Sequence, residues 1–378
     1  MASNSFGTIF RITTWGESHG KAVGVVIDGC PAGLELTEDD IDQELVLRQP
    51  GKRNYTSPRA EKDEAQIFSG VFEGKTTGAP ISIVIFNTDI DSSKYEPIKD
   101  LLRPGHANFT YLEKYGVFDH RGGGRASARE TVCRVAAGAV AKKLLKIYKI
   151  QLTAFIKEIG GVAIDDLDVQ DLEKLKQDIL ESSIFCPDPI AAAKMIEKLE
   201  EVKHEGDSLG GVIEVIASIP IGLGDPVYEK LEANLAKAML SLPATKGIEI
   251  GSGFHAASMK GSDHNDQFAL DHDGNVITTT NFAGGTLGGI SSGMPLIFRV
   301  AFKPPSSIMK SQQTVNLEKQ KKEFQLPRGS RHDPCVAIRA VPIVEAMTAL
   351  VLADALLLNQ CARLRMEPEY MTKQFSAH

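Results

Sequence analysis

The densest chemistry in the chain lies at 121–140, RGGGRASARETVCRVAAGAV. Three consecutive glycines admit left-handed backbone and close ligand approach. They run into a helix signalled by Ser127 and, three residues on, Glu130, the pattern of a capping box. Val132, Val135, Ala136, Ala139 and Val140 continue as an apolar stripe at helical spacing. A glycine loop feeding a helix N-terminus turns backbone N–H groups towards an anion. Arg121, Arg125, Arg129 and Arg134 crowd the same segment. Arg125 and Arg129 are four apart, a like-charge spacing unfavourable on a helix unless an anion is shared. A phosphate or carboxylate site is the expectation, and a basic surface cluster is the plainer alternative. No G-K-[ST] follows the loop, and it lacks the G-x-G-x-x-G spacing, so it supports anion binding and not phosphoryl transfer.

Two histidines sit in turn settings that suit proton transfer better than core packing. His106 ends RPGH (103–106), where Pro104-Gly105 signals a turn beside Arg103. His19 stands in GESHG (16–20), next to Ser18 and Glu17. Towards the C-terminus, 283–293 (AGGTLGGISSG) offers backbone approach to a ring or phosphate. Lys303, Ser306 and Ser307 in KPPSS supply phosphate donors, and Arg331, His332 and Asp333 form an ionisable cluster in RGSRHDPC. Each of these three is also a plain turn signal. The other histidines lack metal-ligand spacing, so no metal site is expected; Trp15 reads as structural.

The elements that must position these loops are strands at 7–14, 22–28, 80–87, 151–158, 211–218 and 295–302, rich in β-branched residues. Helices are expected at 38–48 (opened by Thr37), 190–204 (Asp188-Pro189), 226–240 (Asp225-Pro226) and from Pro342 to about 360. No steady βαβ rhythm appears, which favours an α+β fold with antiparallel sheets packed on helices. One large domain over 1–378 is expected, with 308–330 as a polar, Lys-rich surface loop.

The net charge of −7 argues against a nucleic-acid partner. It is unevenly spread: 161–210 holds 13 acidic and 5 basic residues, read as solvated helix faces, whereas 100–146 holds 9 basic and 4 acidic. The longest apolar stretch, near 336–358, is broken by Arg339, Glu345 and Asp354, so no membrane span is expected. The opening MASNSFGTIF carries no secretory signal pattern, and five scattered cysteines fit reduced thiols in the cytoplasm.

In order, GESHG, RPGHANFTYLEKYG, DHRGGGRASARETVCRVAAGA, EGDSLGG, AGGTLGGISSG, KPPSS and RHDPC resemble the chorismate synthase family. The match is collinear from about residue 6 to residue 358, with SGVFEGKTTGAPI and CPDP between the motifs. The resemblance implies helices sandwiched between antiparallel sheets, a homotetramer, and a lyase of the shikimate pathway. Such a lyase converts 5-enolpyruvylshikimate 3-phosphate to chorismate and phosphate by 1,4-elimination, using reduced FMN without net redox change.

By position, the resemblance makes His19 the acid for the leaving phosphate and His106 the group that protonates the reduced flavin. Asp333 becomes the carboxylate helping to take up the ring hydrogen, and Ser18 and Ser127 the active-site serines. Flavin contacts fall on Arg125, Ala126, Ser127, Pro243, Ala244, Gly288, Lys303, Pro304, Pro305, Ser306, Ser307 and Arg331. Substrate contacts fall on Arg48, Arg129 and Arg134. Departures from the family pattern are Gln49, Asn54, Asn108 and Phe282. No nicotinamide motif is visible, so external reduction of the flavin is expected, with NADPH only a possible reductant. The competing readings are a sugar or shikimate kinase-type transferase, which lacks a loop lysine, and a non-enzymatic anion-binding module.

Overall fold

The computed structural model describes residues 3–49, 55, 62–88, 93–167, 169, 171–327, 330 and 333–363. The first sheet uses β1 (Ser5–Phe6), β2 (Arg11–Gly16), β3 (Ala22–Asp28), β4 (Gln66–Ser69) and, after a small hairpin β5–β6 (Val71–Phe72, Lys75–Thr76), β7 (Ile81–Phe86). Its order is β1-β2-β3-β7-β4, antiparallel at every pairing. The second sheet uses β8 (Gln151–Ile159), β9 (Val162–Ala163), β10 (Gly211–Ser218), β11 (Thr245–Ile250) and β16 (Leu296–Phe302). Its order is β11-β16-β10-β8-β9, again antiparallel. Hairpins β12–β13 (Phe268–Leu270, Val276–Thr278) and β14–β15 (Thr286–Leu287, Ile290–Ser291) lie between β11 and β16, and β17–β18 (Gln312–Val315, Lys321–Phe324) follows.

The helices are α1 (Glu38–Arg48), α2 (Asn108–Tyr115), α3 (Thr131–Ile147), α4 (Leu172–Glu181), α5 (Pro189–His204), α6 (Leu231–Leu240), α7 (Gly261–His264) and α8 (Ala337–Asn359). Helix α3 packs on β3 and β7, α8 packs on β8 and β10, and the two helices pack on each other. The layers therefore run sheet, helix, helix, sheet, as the sequence leads one to expect. Alternating burial along β7 and β16 fits sheets with one face on the core. The main cluster of buried side chains extends from Phe10 to Leu357, and a small second one joins Ile98, Phe324 and Leu326.

Helix α8 is 23 residues long with mean hydropathy 2.0, enough by length and composition to cross a membrane, yet 78% of its apolar window is buried inside the fold. Its three charges each have a partner. Arg339 pairs with Asp333 at 3.0 Å, and Glu345 with Lys142 at 2.5 Å. Asp354 accepts the N–H groups of Thr8, Ile9 and Phe10. A buried charge persists only when so partnered.

Four boundaries differ from the sequence reading. The strand foreseen at 7–14 begins at Arg11, because Gly7 adopts a φ of 91° and Asp354 holds the next three N–H groups in a turn. The helix foreseen at 226–240 begins at Leu231. Val227 takes a φ of 64° and Asp225 N–H closes on Glu229 O, so Asp-Pro here opens a turn. Helix α8 begins at Ala337, placing Pro342 inside it; the ring removes one N–H donor there without ending a helix that is packed on both sides. The stretch 308–330, foreseen as a loop, contains the β17–β18 hairpin. That hairpin is annealed to 100–102 by Leu102 N–H on Val315 O (3.0 Å) and Leu317 N–H on Asp100 O (2.9 Å).

The α3–α8 contact rests on Gly138, where an added Cβ would stand 2.4 Å from Ala346 Cβ and 2.8 Å from its Cα. Gly138→Ala gains about 1 kcal/mol of helix propensity, but overpacking costs about 1–3 kcal/mol. The expected outcome is a lower midpoint of thermal unfolding; a higher one would show that the helices separate without cost.

Candidate active site

Strand β2 ends at Gly16 and β3 begins at Ala22, so GESHG forms the connection between them. Gly20 N–H closes on Glu17 O at 3.1 Å, placing Ser18 and His19 at the two centres of a tight turn. The His19 ring meets the Tyr95 ring edge-on, with centroids 5.3 Å apart, and the Arg103 guanidinium lies 5.8 Å over the same Tyr95 ring. Arg103 also donates to Gly122 O at 3.3 Å. Gly122 lies directly on the first turn: a Cβ there would stand 2.5 Å from His19 Cδ2 and 2.8 Å from Ser18 Oγ. Any side chain at 122 would fill the basin, and only glycine takes its φ of 73° readily. Ser18 is buried, and its Oγ has no hydrogen-bond partner among the described residues. Such a group is costly unless a ligand satisfies it.

The second histidine reaches the same basin through Arg103. His106 N–H closes the RPGH turn on Arg103 O at 3.1 Å. Its Nδ1 accepts from Asn108 N–H at 3.2 Å, so the neutral ring carries its proton on Nε2 and offers that proton outward. Asn108, a departure from the family pattern, accepts from Arg103 N–H (3.2 Å) and donates to Leu101 O (3.0 Å). An Asp there could not make the second bond. Lys303 Nζ donates to Gly105 O at 2.8 Å, and Lys303 N–H to Ala244 O at 2.9 Å. KPPSS, Pro243-Ala244 and RPGH are thereby joined, with Ser306 Cβ 3.0 Å from the Cβ position of Gly105. Ser208 Oγ donates to Pro305 O at 2.8 Å and fixes the loop from behind.

Burial, and then the charges of Arg103 and Lys303, push the His106 pKa down to about 3. Burial also lowers the Arg103 pKa. Among the described residues, neither Arg103 nor Lys303 has a carboxylate within 4 Å. Two cations flanking a neutral imidazole beside an unpartnered hydroxyl make a site for an anion.

The arginines of the glycine loop are placed differently. Arg125 donates to Gly16 O (3.0 Å), Thr14 Oγ1 (2.7 Å), Thr14 O (3.2 Å) and Asn4 Oδ1 (3.2 Å). It walls a cavity of about 410 Å³ with Trp15, Glu17 and Gly20. Arg129 is buried on Asp63 and on Asn87 Oδ1 (2.7 Å), and Arg48 meets the same Asp63 at 2.8 Å. Arg121 pairs with Asp119 at 2.7 Å. Arg134 pairs with Glu130 at 3.0 Å and donates to Ser241 Oγ at 2.5 Å. Because Glu130 turns to Arg134, the foreseen capping box does not form. Ser127 Oγ accepts from Arg129 N–H at 3.2 Å and caps a short 3₁₀ turn, Ala128–Glu130, ahead of α3. The charge-assisted bond outweighs a neutral cap.

Asp333 pairs with Arg339, whose Nε donates to Arg48 O at 3.5 Å. Ala126 ends the 3₁₀ turn Gly124–Ala126 beside Ser127. Gly288 sits at the tip of β14–β15, docked on 222–231 through Leu231 N–H on Gly289 O and Ser291 N–H on Leu223 O. Gln49 is buried at the end of α1, and Phe282 stacks on His264 at 5.8 Å. Arg331, His332 and Asn54 lie outside the described residues. The sequence reading passes over Tyr95, Asp63 and Asn87, which carry no local motif, and treats Trp15 as structural although it lines the Arg125 cavity.

Half-buried cations, a glycine cradle and two histidines meet on one α+β scaffold, the makings of an enzyme site for an anionic substrate. The family model for chorismate synthase matches residues 10–357. A chorismate synthase from Protochlamydia amoebophila is 60% identical over 368 residues, covering 96% of this chain and all of that protein. One from Methanosarcina mazei is 52% identical over 94% of this chain and 97% of its own length. A crystal structure of chorismate synthase superposes with a TM-score of 0.74 at 34% identity, covering 98% of this chain and 97% of that one. The chain belongs to the chorismate synthase family, flavin-dependent carbon–oxygen lyases acting on phosphates.

The His106 environment makes a titration prediction. Its pKa lies below the unfolded value of about 6.5, so it binds fewer protons folded than unfolded and subtracts stability as pH falls below that value. Histidine NMR of the free protein is expected to show a neutral His106, protonated on Nε2, at pH 5. A midpoint near 6.5 would contradict the site electrostatics.

Proposed function

We propose that this chain converts 5-enolpyruvylshikimate 3-phosphate to chorismate and phosphate by 1,4-elimination with reduced FMN, in the cytoplasm and as a homotetramer. The observation that carries the reading is the convergence of His19, Gly122, Arg103 and His106 in one basin, in a chain matched to the family along its length. A kinase-type transferase draws no support from that match.

A phosphate-bearing flavin fits the residues present, on two structural grounds: among the described residues, Lys303 and Arg103 stand without carboxylates, and buried Ser18 Oγ lacks a partner. Arg125, Ala126, Ser127, Pro243, Ala244, Gly288, Lys303, Pro304, Pro305, Ser306, Ser307 and Arg331 are the residues proposed to hold it. When bound, reduced FMN supplies an electron-rich ring that helps expel phosphate from an allylic carbon, with no net redox change. The protein's share is positioning and proton handling. His19, at the centre of its turn, gives its proton to the departing phosphate as the C–O bond breaks. His106 holds its Nε2 proton towards the reduced flavin. Asp333, paired with Arg339 at 3.0 Å, helps take up the ring hydrogen. Ser18 donates to a ligand oxygen, and Ser127 holds the glycine loop against α3. Arg48, Arg129 and Arg134, which the family resemblance puts at the substrate, are held by Asp63 and Glu130 and are proposed to frame the substrate site rather than to serve as its free cations. Reductant comes from outside the chain.

The tetramer is supported by large apolar side chains left in water, among them Phe68, Phe72, Phe254 and Phe268. Anaerobic incubation with reduced FMN and substrate is expected to release phosphate and produce a new diene absorbance; neither appearing would reject the reading. His19→Ala and His106→Ala are each expected to lower turnover about 10²–10⁴-fold in folded protein. Unchanged turnover in both would reject the assigned roles.

A further inference from the structure

Just beyond β7, Asn87 makes three side-chain hydrogen bonds, two to the turn that carries His19 and one to Arg129. Its Nδ2 donates to Glu17 O at 3.1 Å and to Gly20 O at 2.8 Å, while its Oδ1 accepts from Arg129 Nε at 2.7 Å. The guanidinium only donates, so it fixes which end of the amide is oxygen, and the NH₂ group must face the two carbonyls. Glu17 and Gly20 are the first and last residues of the turn whose centres are Ser18 and His19. Asn87 therefore clamps that turn at both ends and ties it to the segment entering α3. The β3–β7 register sets Phe86 opposite Ala22, and Asn87 N–H on Lys21 O (3.1 Å) continues the ladder one step, under the turn.

We infer that Asn87 is the positioning residue of the His19 turn: it fixes His19 against Gly122 and couples that placement to Arg129. The inference rests on the proton-donor role of His19. It also specifies the side chain. Asp would keep the acceptor for Arg129 but turn a carboxylate towards two carbonyl oxygens, and Ala would release both the turn and Arg129.

The test is a double-mutant cycle in the flavin-loaded enzyme, with kcat and KM read separately. Asn87→Asp is expected to lower kcat about 10–100-fold while KM stays within threefold, since Arg129 keeps its partner. Asn87→Ala is expected to lower kcat similarly and raise KM as well. In a His19→Ala background, Asn87→Asp is expected to cost less than twofold, because the turn no longer carries a proton donor. A merely structural role would reduce both backgrounds equally, and that result, or a kcat within twofold of wild type for Asn87→Asp, would overturn the inference. Unchanged turnover in His19→Ala alone would instead reject the role of His19, so the two failures are distinguishable. Circular dichroism melting of each variant separates lost fold from lost placement: an Asn87→Asp protein that is unfolded at assay temperature overturns the positioning role in favour of a structural one.

Discussion

The close approach of α3 and α8 at Gly138 and Ala346 is the constraint on which the rest of this structure depends. Each sheet packs on one of these helices, so the helix pair holds the two halves of the core in register. The helices also carry the chemistry at their starts. The glycine loop and Ser127 run into α3, while Asp333 precedes α8 and pairs with Arg339 on its first turn.

From that frame, one chain of contacts joins the parts of the site. Asn87 holds the His19 turn and meets Arg129; Arg129 and Arg48 share Asp63; Arg48 O accepts from Arg339, which holds Asp333. A second chain runs from His19 through Tyr95 and Arg103 to Gly122, and from His106 through Gly105 to Lys303 and Ala244. Residues separated by more than 300 positions are thus fixed by a few directional bonds. Small displacements in such sites are expensive for catalysis.

Charge placement sharpens what the basic segment at 100–146 means. Its arginine density alone does not mark the ligand, since Arg121, Arg129 and Arg134 already face Asp119, Asp63 and Glu130. Among the described residues, Arg103 and Lys303 beside His106 have no carboxylate within 4 Å, and the second lies some 200 residues further along the chain. Burial first, and then the charges of these two, push the His106 pKa down in the free protein. An anion between them would offset the repulsion, so ligand binding and the protonation of His106 are linked.

The sequence by itself determined the class of fold and the loops that matter. Periodicity and β-branched runs located the principal strands, Thr37 and Asp188 marked helix starts that the structure keeps, and the glycine, RPGH and GESHG motifs gave the site and its family. These are local signals, written in residue types within a few positions of one another. Only the tertiary structure decided which side chains share a partner. Nothing near Asn87 or Tyr95 in the chain announces a role, because their partners come from other elements. Glu130 chose Arg134 over Ser127, and Asp225-Pro226 opened a turn instead of a helix, because contacts made on folding outweighed local preference. Pro342 lies within α8 for the same reason: packing between two layers stabilises more than one missing hydrogen bond costs.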